Sequence, residues 1–236
     1  MIKEAIEKIE QMAHGQTLSL LGRLYTTKGI VPVHDPSPKV LTIETLTGLA
    51  DYLEANTDKL DPDNLIIHIQ NFQAVDLISS ISTTWSARHH FIRVVCDTLQ
   101  FPFGEFMGVE SFIIRMQSQF VQDDQTAAIL KIVGNVSDSV VKQFSDDGVT
   151  QQATIKAGVS RVEDVRVPNP VTLAPYRTFL EIEQPASKFV FRMRSGQDEP
   201  PKCALFESDG GNWKNEAILR IKAWLTDRIS GITIIA

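Results

Sequence analysis

The stretch PNPVTLAPYRTFLEIEQPASKFVFRMRSGQDEPPKCALFESDGGNWKNEAILRIKAWLTDR, residues 168–228, decides the fold. Apolar and charged residues alternate in KFVFRMR, which predicts a strand with Phe189, Phe191 and Met193 facing the core. CALFE predicts a second strand, SDGG a turn, and Asn212 the cap of a final helix. The predicted apolar face of that helix comprises Ala217, Ile218, Ile221, Trp224 and Leu225.

The preceding run VTLAPYRTFLEIE, residues 171–183, is interpreted as another strand, interrupted at Pro175. Strict alternation along it would place Arg177 on the same face as Glu181 and Glu183. A charge network across that face is therefore one interpretation of these carboxylates. Paired carboxylates for hydrolysis or magnesium binding, with Glu207 and Asp209 joining them, are the alternative.

Elements upstream are also marked by their periodicity. Helical spacing predicts helices over 2–13 and 43–55, the second capped by Thr42. LIIHIQ, VDLISSI and HHFIRVVCD predict an antiparallel meander, and two more helices are predicted before Gly134. The apolar first helix and the terminal GITIIA are interpreted as oligomerisation elements, because neither is suited to water alone.

Strands and helices occur in runs rather than in strict alternation, which predicts an α+β fold with antiparallel sheets and helices packed on one side. The junction FPFGEFMG divides the chain into two predicted lobes, 1–104 and 105–236. Since no linker rich in Ser, Gly or Pro separates them, the lobes are expected to pack intimately, and a single domain is the alternative.

Composition limits the classes of function. The 236 residues include only two cysteines and carry a net charge of -6. No apolar run approaches the ~20 residues that span a bilayer, so no membrane partner is expected. The cysteine count favours a reducing cytoplasm, and the negative charge disfavours a protein that coats nucleic acid, without excluding one.

The sequence lacks the motifs GxxxxGK[ST], GxSxG, HExxH and CxxC. No catalytic residue, cofactor or metal is therefore predicted, and the pattern favours a protein that is not an enzyme. SDGGN, residues 208–212, could hold an anion at a helix start, but ordinary turn chemistry also explains it. Zinc binding is the alternative to a structural role for four residues of the predicted meander. They are His68, His89, His90 and Cys96.

Lys188, Arg192 and Arg194 alternate with the core residues of their strand and are predicted to form an outward basic face, which Arg177 could join. Such a face is expected to bind an anionic partner. Base stacking is disfavoured at this stage because Phe189 and Phe191 must point the other way.

The runs EDVRVPNPVTLAPYRTFLEIEQPASKFVFRMRSG and CALFESDGGNWKNEAILRIKAWL, with FPFGEFMGVESFIIRMQSQFVQ upstream, carry a resemblance to a family. The sequence resembles the YfdQ-like phage and prophage proteins of unknown function. This resemblance implies a phage-encoded protein that acts in the host bacterial cytoplasm, and it transfers no functional residue.

Three functions follow as hypotheses. The first is a non-enzymatic protein that acts through homo-oligomeric assembly or partner binding during infection. The second is a counter-defence inhibitor that sequesters a nucleotide signal or a host immune protein. The third is an accessory factor in phage DNA recombination or replication.

Overall fold

The computed structural model describes residues 2–13, 15–26, 31–32, 37–83, 86–137, 140–146, 151–156, 162–166, 169–194 and 200–236. Within these ranges the helices are Ile2–Ala13 (α1), Leu46–Ala55 (α2), Val109–Gln119 (α3), Asp124–Ser137 (α4) and Trp213–Arg228 (α5). None of the described helices is long and apolar enough to cross a lipid bilayer.

The described strands form four mostly antiparallel sheets. In chain order they are Thr17–Leu20 (β1), Arg23–Thr26 (β2), Val31–Pro32 (β3), Leu41–Ile43 (β4), Leu65–Asn71 (β5), Ala74–Ser79 (β6), His90–Val95 (β7), Met107–Gly108 (β8), Val140–Asp146 (β9), Gln151–Lys156 (β10), Val162–Arg166 (β11), Val171–Leu173 (β12), Ser187–Arg194 (β13), Lys202–Glu207 (β14) and Thr233–Ile235 (β15). β1–β3 and β9–β11 form small sheets of three strands each. Sheets and helices together confirm the α+β class.

The five-stranded sheet, ordered β15-β5-β6-β7-β4, carries the first hydrophobic core. β5, β6 and β7 form the antiparallel meander that the sequence predicts. α2 and α5 supply buried residues to this core, and α5 does so with much of the predicted apolar face. Fully buried members are Leu46, Leu49, Ile67, Val75, Leu77, Ile92, Val94, Ile221 and Leu225.

The four-stranded sheet, ordered β12-β13-β14-β8, carries the second core, to which α3 and α4 contribute. Phe189, Phe191 and Met193 are buried here, which confirms their predicted inward orientation. Phe112 of α3 and Phe120, which directly follows α3, are also buried. The centroids of the Phe112 and Phe191 rings lie 5.6 Å apart. Aromatic burial therefore holds the helices against one face of the sheet and leaves the other face outward.

The predicted strand over 171–183 is wrong beyond its first residues. Only β12 is a strand, and a single bridge joins Pro175 to Phe120. The backbone that follows is held by side chains instead: Gln184 accepts from the Arg177 amide at 3.2 Å and donates to the Phe179 carbonyl at 2.9 Å. Side-chain bonds of this kind replace a strand ladder, and Pro175 has no amide hydrogen to donate to one.

The N-terminal caps of α2 and α5 differ in part from those that the sequence predicts. Thr42 lies in β4, and α2 is capped by Thr45, whose hydroxyl accepts from the Gly48 amide at 3.0 Å. Asn212 directly precedes α5, but its side chain makes no capping hydrogen bond. Both helices begin within a few residues of the prediction. The cap of α2 is Thr45 rather than Thr42, whereas Asn212 does occupy the N-cap position of α5.

The terminal GITIIA segment is part of the monomer's own sheet. β15 pairs in parallel with β5, so that Thr233 lies opposite Ile66 and Ile235 opposite His68. α5 packs against β5 as well. Both elements belong to the range predicted as the second lobe, 105–236, yet they complete the core of the first.

Candidate cationic–aromatic face

The candidate site is the outward face of the four-stranded sheet. Alternation along β13 buries Phe189, Phe191 and Met193 and leaves Lys188, Arg192 and Arg194 on the opposite side. These three cations are therefore brought to one surface, as the sequence predicts.

The neighbouring strand adds to this surface. In the antiparallel register, Phe206 of β14 lies opposite Val190, and Lys202 lies opposite Arg194. Residues that are directly opposite one another share a face of the sheet. The outward side therefore carries an aromatic ring and a fourth cation from β14.

Phe106, which directly precedes β8, completes the surface. The guanidinium carbon of Arg194 lies 4.1 Å from the centre of the Phe106 ring, within the range of a cation–π contact. The Phe106 and Phe206 rings meet edge to face with centroids 6.0 Å apart. Phe106, Lys188, Arg192, Arg194 and Phe206 are called the cationic–aromatic face below.

Sequence reasoning missed the two aromatic residues. It considered only the phenylalanines of β13, which do point inward. The available signal was the alternation of KCALFE, which sets Phe206 on the same side as Lys202, together with the register that aligns β14 with β13. With Phe106 and Phe206 on the basic side, the objection to base stacking no longer holds.

Arg192 holds an unpaired donor at the centre of this face. Its Nη1 atom is buried and has no hydrogen-bond partner among the residues that the structure describes. A guanidinium group keeps its charge and its donors at any ordinary pH, so the unpaired N–H cannot be removed by deprotonation. A buried donor without an acceptor carries a free-energy cost that a bound anion would relieve.

Arg177 does not lie on the cationic–aromatic face. It is only 4% exposed, donates to Glu207 Oε1 at 2.6 Å and to the Ser187 hydroxyl, and stacks 3.6 Å from the Trp213 ring centre. Burial lowers the pKa of Arg177 to about 10, although the charges of Glu207 and Asp209 act in the opposite direction. It is a buried, paired cation and cannot receive an external anion.

The carboxylates are dispersed rather than paired. Glu181 accepts from the Thr47 amide at 3.2 Å, Glu183 forms an ion pair with Arg220 at 3.4 Å, and Glu207 is held by Arg177. Each carboxylate thus has its own structural partner. The arrangement favours the charge-pairing interpretation over a two-carboxylate catalytic site.

The turn at 208–212 is closed by its own side chain. Asp209 Oδ1 accepts from the Gly211 amide at 3.0 Å, and Gly210 and Gly211 have positive φ angles of 65° and 81°. Such angles are readily adopted by glycine. Since a carboxylate already takes an amide of this turn, the geometry matches ordinary turn chemistry rather than an anion site.

The histidines of the meander are separated by the sheet geometry. His89 Nδ1 lies 3.3 Å from the Ser37 hydroxyl, and His90 Nδ1 lies 4.0 Å from Asp76, which is itself held by Arg93. No group of three His, Cys, Asp or Glu side chains in the described ranges could hold a metal ion.

Comparison of the chain with protein-family models, with curated proteins and with solved structures finds no match. The cationic–aromatic face is therefore interpreted from its own geometry and chemistry.

Proposed function

We propose that this protein binds a single-stranded nucleic acid on its cationic–aromatic face and acts by binding rather than by catalysis. The observation that carries the proposal is the buried Nη1 donor of Arg192, which is unpaired within the described residues and lies on a face that also carries Phe106, Phe206 and further cations. Phosphate oxygens are the acceptors that a guanidinium group recognises best.

The dimensions of the face support an extended strand rather than a single phosphate. Arg192 and Arg194 are two residues apart on β13, which sets them about 7 Å apart, and Lys188 to Arg194 spans about 20 Å. A row of cations at this spacing can follow a backbone with a phosphate at each nucleotide. A mononucleotide would contact only part of the row.

The aromatic residues supply the second half of the interaction. Stacking of a base on an aromatic ring contributes about 1–3 kcal/mol and tolerates any base sequence. Phe206 offers its ring, and the Arg194 guanidinium, whose central carbon lies 4.1 Å from the centre of the Phe106 ring, offers a planar cation on which a base can stack. Stacking and phosphate contacts on one surface make the affinity independent of sequence.

Because the chain carries a net charge of -6, the attraction for phosphate must come from the cations of this face. Contacts between these cations and phosphates weaken as salt rises. The resemblance to phage and prophage proteins supports the same proposal, since a phage-encoded binder of single strands would serve recombination or replication in the host cytoplasm. Sequestration of a nucleotide signal is the competing function. It differs from single-strand binding because its ligand is a small molecule rather than a polymer.

The test is fluorescence anisotropy with a labelled oligothymidylate of about 15 nucleotides, a length that such a surface can engage. We expect saturable binding that weakens between about 50 and 200 mM salt, with a slope of log affinity against log salt near about -2 for three phosphates. Arg192→Gln and Arg194→Gln should each weaken binding about tenfold and flatten that slope.

Arg228→Gln is the matched control, because Arg228 stacks on Trp224 at the same 4.1 Å distance but lies at the end of α5. Equal losses for Arg228→Gln and Arg192→Gln would contradict a specific face. If a cyclic dinucleotide binds more tightly than the oligonucleotide and Arg192→Gln weakens that binding, nucleotide sequestration would replace the proposal. Absence of salt-dependent binding to either ligand would remove both.

A second function, homo-oligomeric assembly, is favoured by α1. Ile2, Ile6, Ile9 and Met12 recur at helical spacing and are 80%, 55%, 65% and 76% exposed. An apolar stripe of this kind is typical of a helix that packs against a like helix. We propose assembly through α1 as compatible with nucleic-acid binding, since the two surfaces share no residue.

A further inference from the structure

The helix α1 exposes its apolar side as well as its polar side. Every side chain of α1 whose burial the structure describes is exposed to solvent. A helix of 12 residues is marginal in water on its own, because its stability in a protein comes mostly from packing of an apolar face. The apolar stripe of α1 therefore needs a partner, and the charges beside the stripe indicate which partner fits it.

The apolar residues of α1 follow the heptad spacing of a coiled coil. Ile2, Ile6, Ile9 and Ala13 recur at alternating steps of four and three residues, which is the spacing of the a and d positions. Ile2 and Ile9 then occupy d positions, and Ile6 and Ala13 occupy a positions. Such a stripe packs against another helix that carries the same spacing. A second copy of α1 meets this requirement.

Opposite charges lie at the two ends of one flank of this stripe. Lys3 and Glu10 are seven residues apart, so they project from the same side of the helix. Both are e positions, which border the interface of paired helices. The g positions on the other flank are Ala5 and Met12, which carry no charge. Charge therefore distinguishes one flank of α1 from the other.

This charge pattern favours an antiparallel pair. A two-fold axis perpendicular to the helices sets the charged flank of one copy against the charged flank of the other with its direction reversed. When Ile6 lies opposite Ile9 at the centre, Lys3 and Glu10 of the partner copy are offset by about 3 Å along the axis, which their side chains can span. In a parallel pair the charged flank faces the uncharged flank, and neither charge gains a partner of opposite sign.

The charges of α1 disfavour a lipid surface as the occupant of the stripe. A helix that lies in a membrane interface is rich in lysine and arginine on its polar face. α1 carries three glutamates and two lysines, and Glu4 and Glu7 lie on the side away from the stripe. An anionic membrane would therefore not attract this helix.

We infer that two copies of the chain pair through α1 in antiparallel orientation, with Lys3 of each copy bound to Glu10 of the other. The two-fold axis closes this pair, so the assembly through α1 is a dimer and does not extend further. This orientation rests on the assembly through α1 proposed above, and it adds the size of the assembly and the residues that set its direction.

The first test reverses the charges of the flank. Lys3→Glu and Glu10→Lys each place like charges at both ends of the antiparallel pair, and each should raise the dimer Kd at least about fivefold in sedimentation velocity. An equimolar mixture of the two variants should form a heterodimer with about the native Kd, because the all-acidic flank then meets the all-basic flank. Lys8→Glu is the matched control, since Lys8 lies outside both flanks and should leave the Kd unchanged.

The second test measures orientation with engineered cysteines. Ile2 lies opposite Ala13 in the antiparallel pair, whereas the two copies of Ile2 are about 16 Å apart along the axis. A disulfide requires Cα atoms within about 7 Å. On mild oxidation, Ile2→Cys and Ala13→Cys should therefore crosslink when mixed and not when alone. The native chain, which retains Cys96 and Cys203, is the control for other disulfides.

The outcomes separate the orientation from the assembly itself. A native dimer in which Ile2→Cys crosslinks alone, or whose Kd changes equally in Lys3→Glu and Lys8→Glu, would overturn the antiparallel pair and leave assembly through α1 in place. A native chain that is monomeric at micromolar concentration would overturn both. If that monomer bound vesicles of phosphatidylcholine and phosphatidylglycerol through α1, a lipid surface would replace the second copy.

Discussion

Tyr52 of α2 makes the fold sensitive to alkaline pH. Its hydroxyl donates to Asp58 Oδ2 at 2.7 Å. Burial raises the pKa of Tyr52 to about 12, and the hydrogen bond and the charge of Asp58 act in the same direction. The folded state therefore holds this proton at a pH where the unfolded chain, with a pKa of about 10, has lost it.

The stability contributed by Tyr52 is present below pH 10 and is lost as the pH rises towards 12. In Tyr52→Phe this loss is absent, so the urea midpoint should fall less between about pH 9 and pH 12 than in the native chain. Raised pKa values of Cys96 and Cys203, both caused chiefly by burial, add to the alkaline loss in both proteins. Identical pH profiles for the two proteins would show that Tyr52 does not titrate as described.

Arg177 and Arg192 show what residue types in a sequence do not reveal. Both lie in the stretch that decides the fold, and alternation predicts a basic face with Arg192 on it, which Arg177 could join. Arg177 lies in a segment without a strand, where it pairs with Glu207 beneath Trp213. Only Arg192, on a regular strand, points where period-two spacing predicts, because alternation constrains a side chain only while the backbone stays extended.

β15 stabilises the first core through its backbone. Its parallel pairing with β5 covers an edge that would otherwise expose the amides and carbonyls of an apolar strand. Removal of residues 233–236 should lower the free energy of unfolding by about 1–3 kcal/mol through lost hydrogen bonds, and should increase self-association. Urea unfolding and size-exclusion chromatography measure the two effects.

The matched control for this truncation is Ile235→Thr, which retains the backbone pairing and changes one side chain that is 43% exposed. It should remain close to the native chain in both measurements. Unchanged stability on truncation, or an equal loss in Ile235→Thr, would show that strand pairing is not the source of the effect.

Regular elements were predictable from periodicity, and irregular ones were not. The meander β5–β7, β13, β14 and α5 follow simple spacing, and each lies close to its predicted position. Residues 174–183 belong to the strand that alternation predicts over 171–183, but side-chain bonds from Gln184 and Thr178 to the backbone set their path. The aromatic half of the candidate face depends on the register between strands, which a single sequence does not specify.

At the scale of the whole molecule, the first core draws residues from both halves of the chain. The five-stranded sheet recruits α5 and β15 from the far end of the sequence, while residues 179 and 182 extend from the second half into the first core. A cavity of about 490 Å³ is bounded by the residues that follow β7, the end of α3 and residues 176–180. The sequence could predict the class of fold, but not this long-range pairing or the cavity that it creates.

Assembly through α1 is testable because the chain offers a matched pair of exposed apolar residues. Ile9 of α1 and Leu219 of α5 are each 65% exposed. If α1 packs against a second copy, Ile9→Glu introduces a charge into an apolar helix–helix interface and should convert the assembly to monomers, whereas Leu219→Glu should leave it unchanged. Light scattering at micromolar concentration measures the mass directly. A monomeric native chain, or dissociation of Leu219→Glu to the same extent as Ile9→Glu, would contradict assembly through this helix.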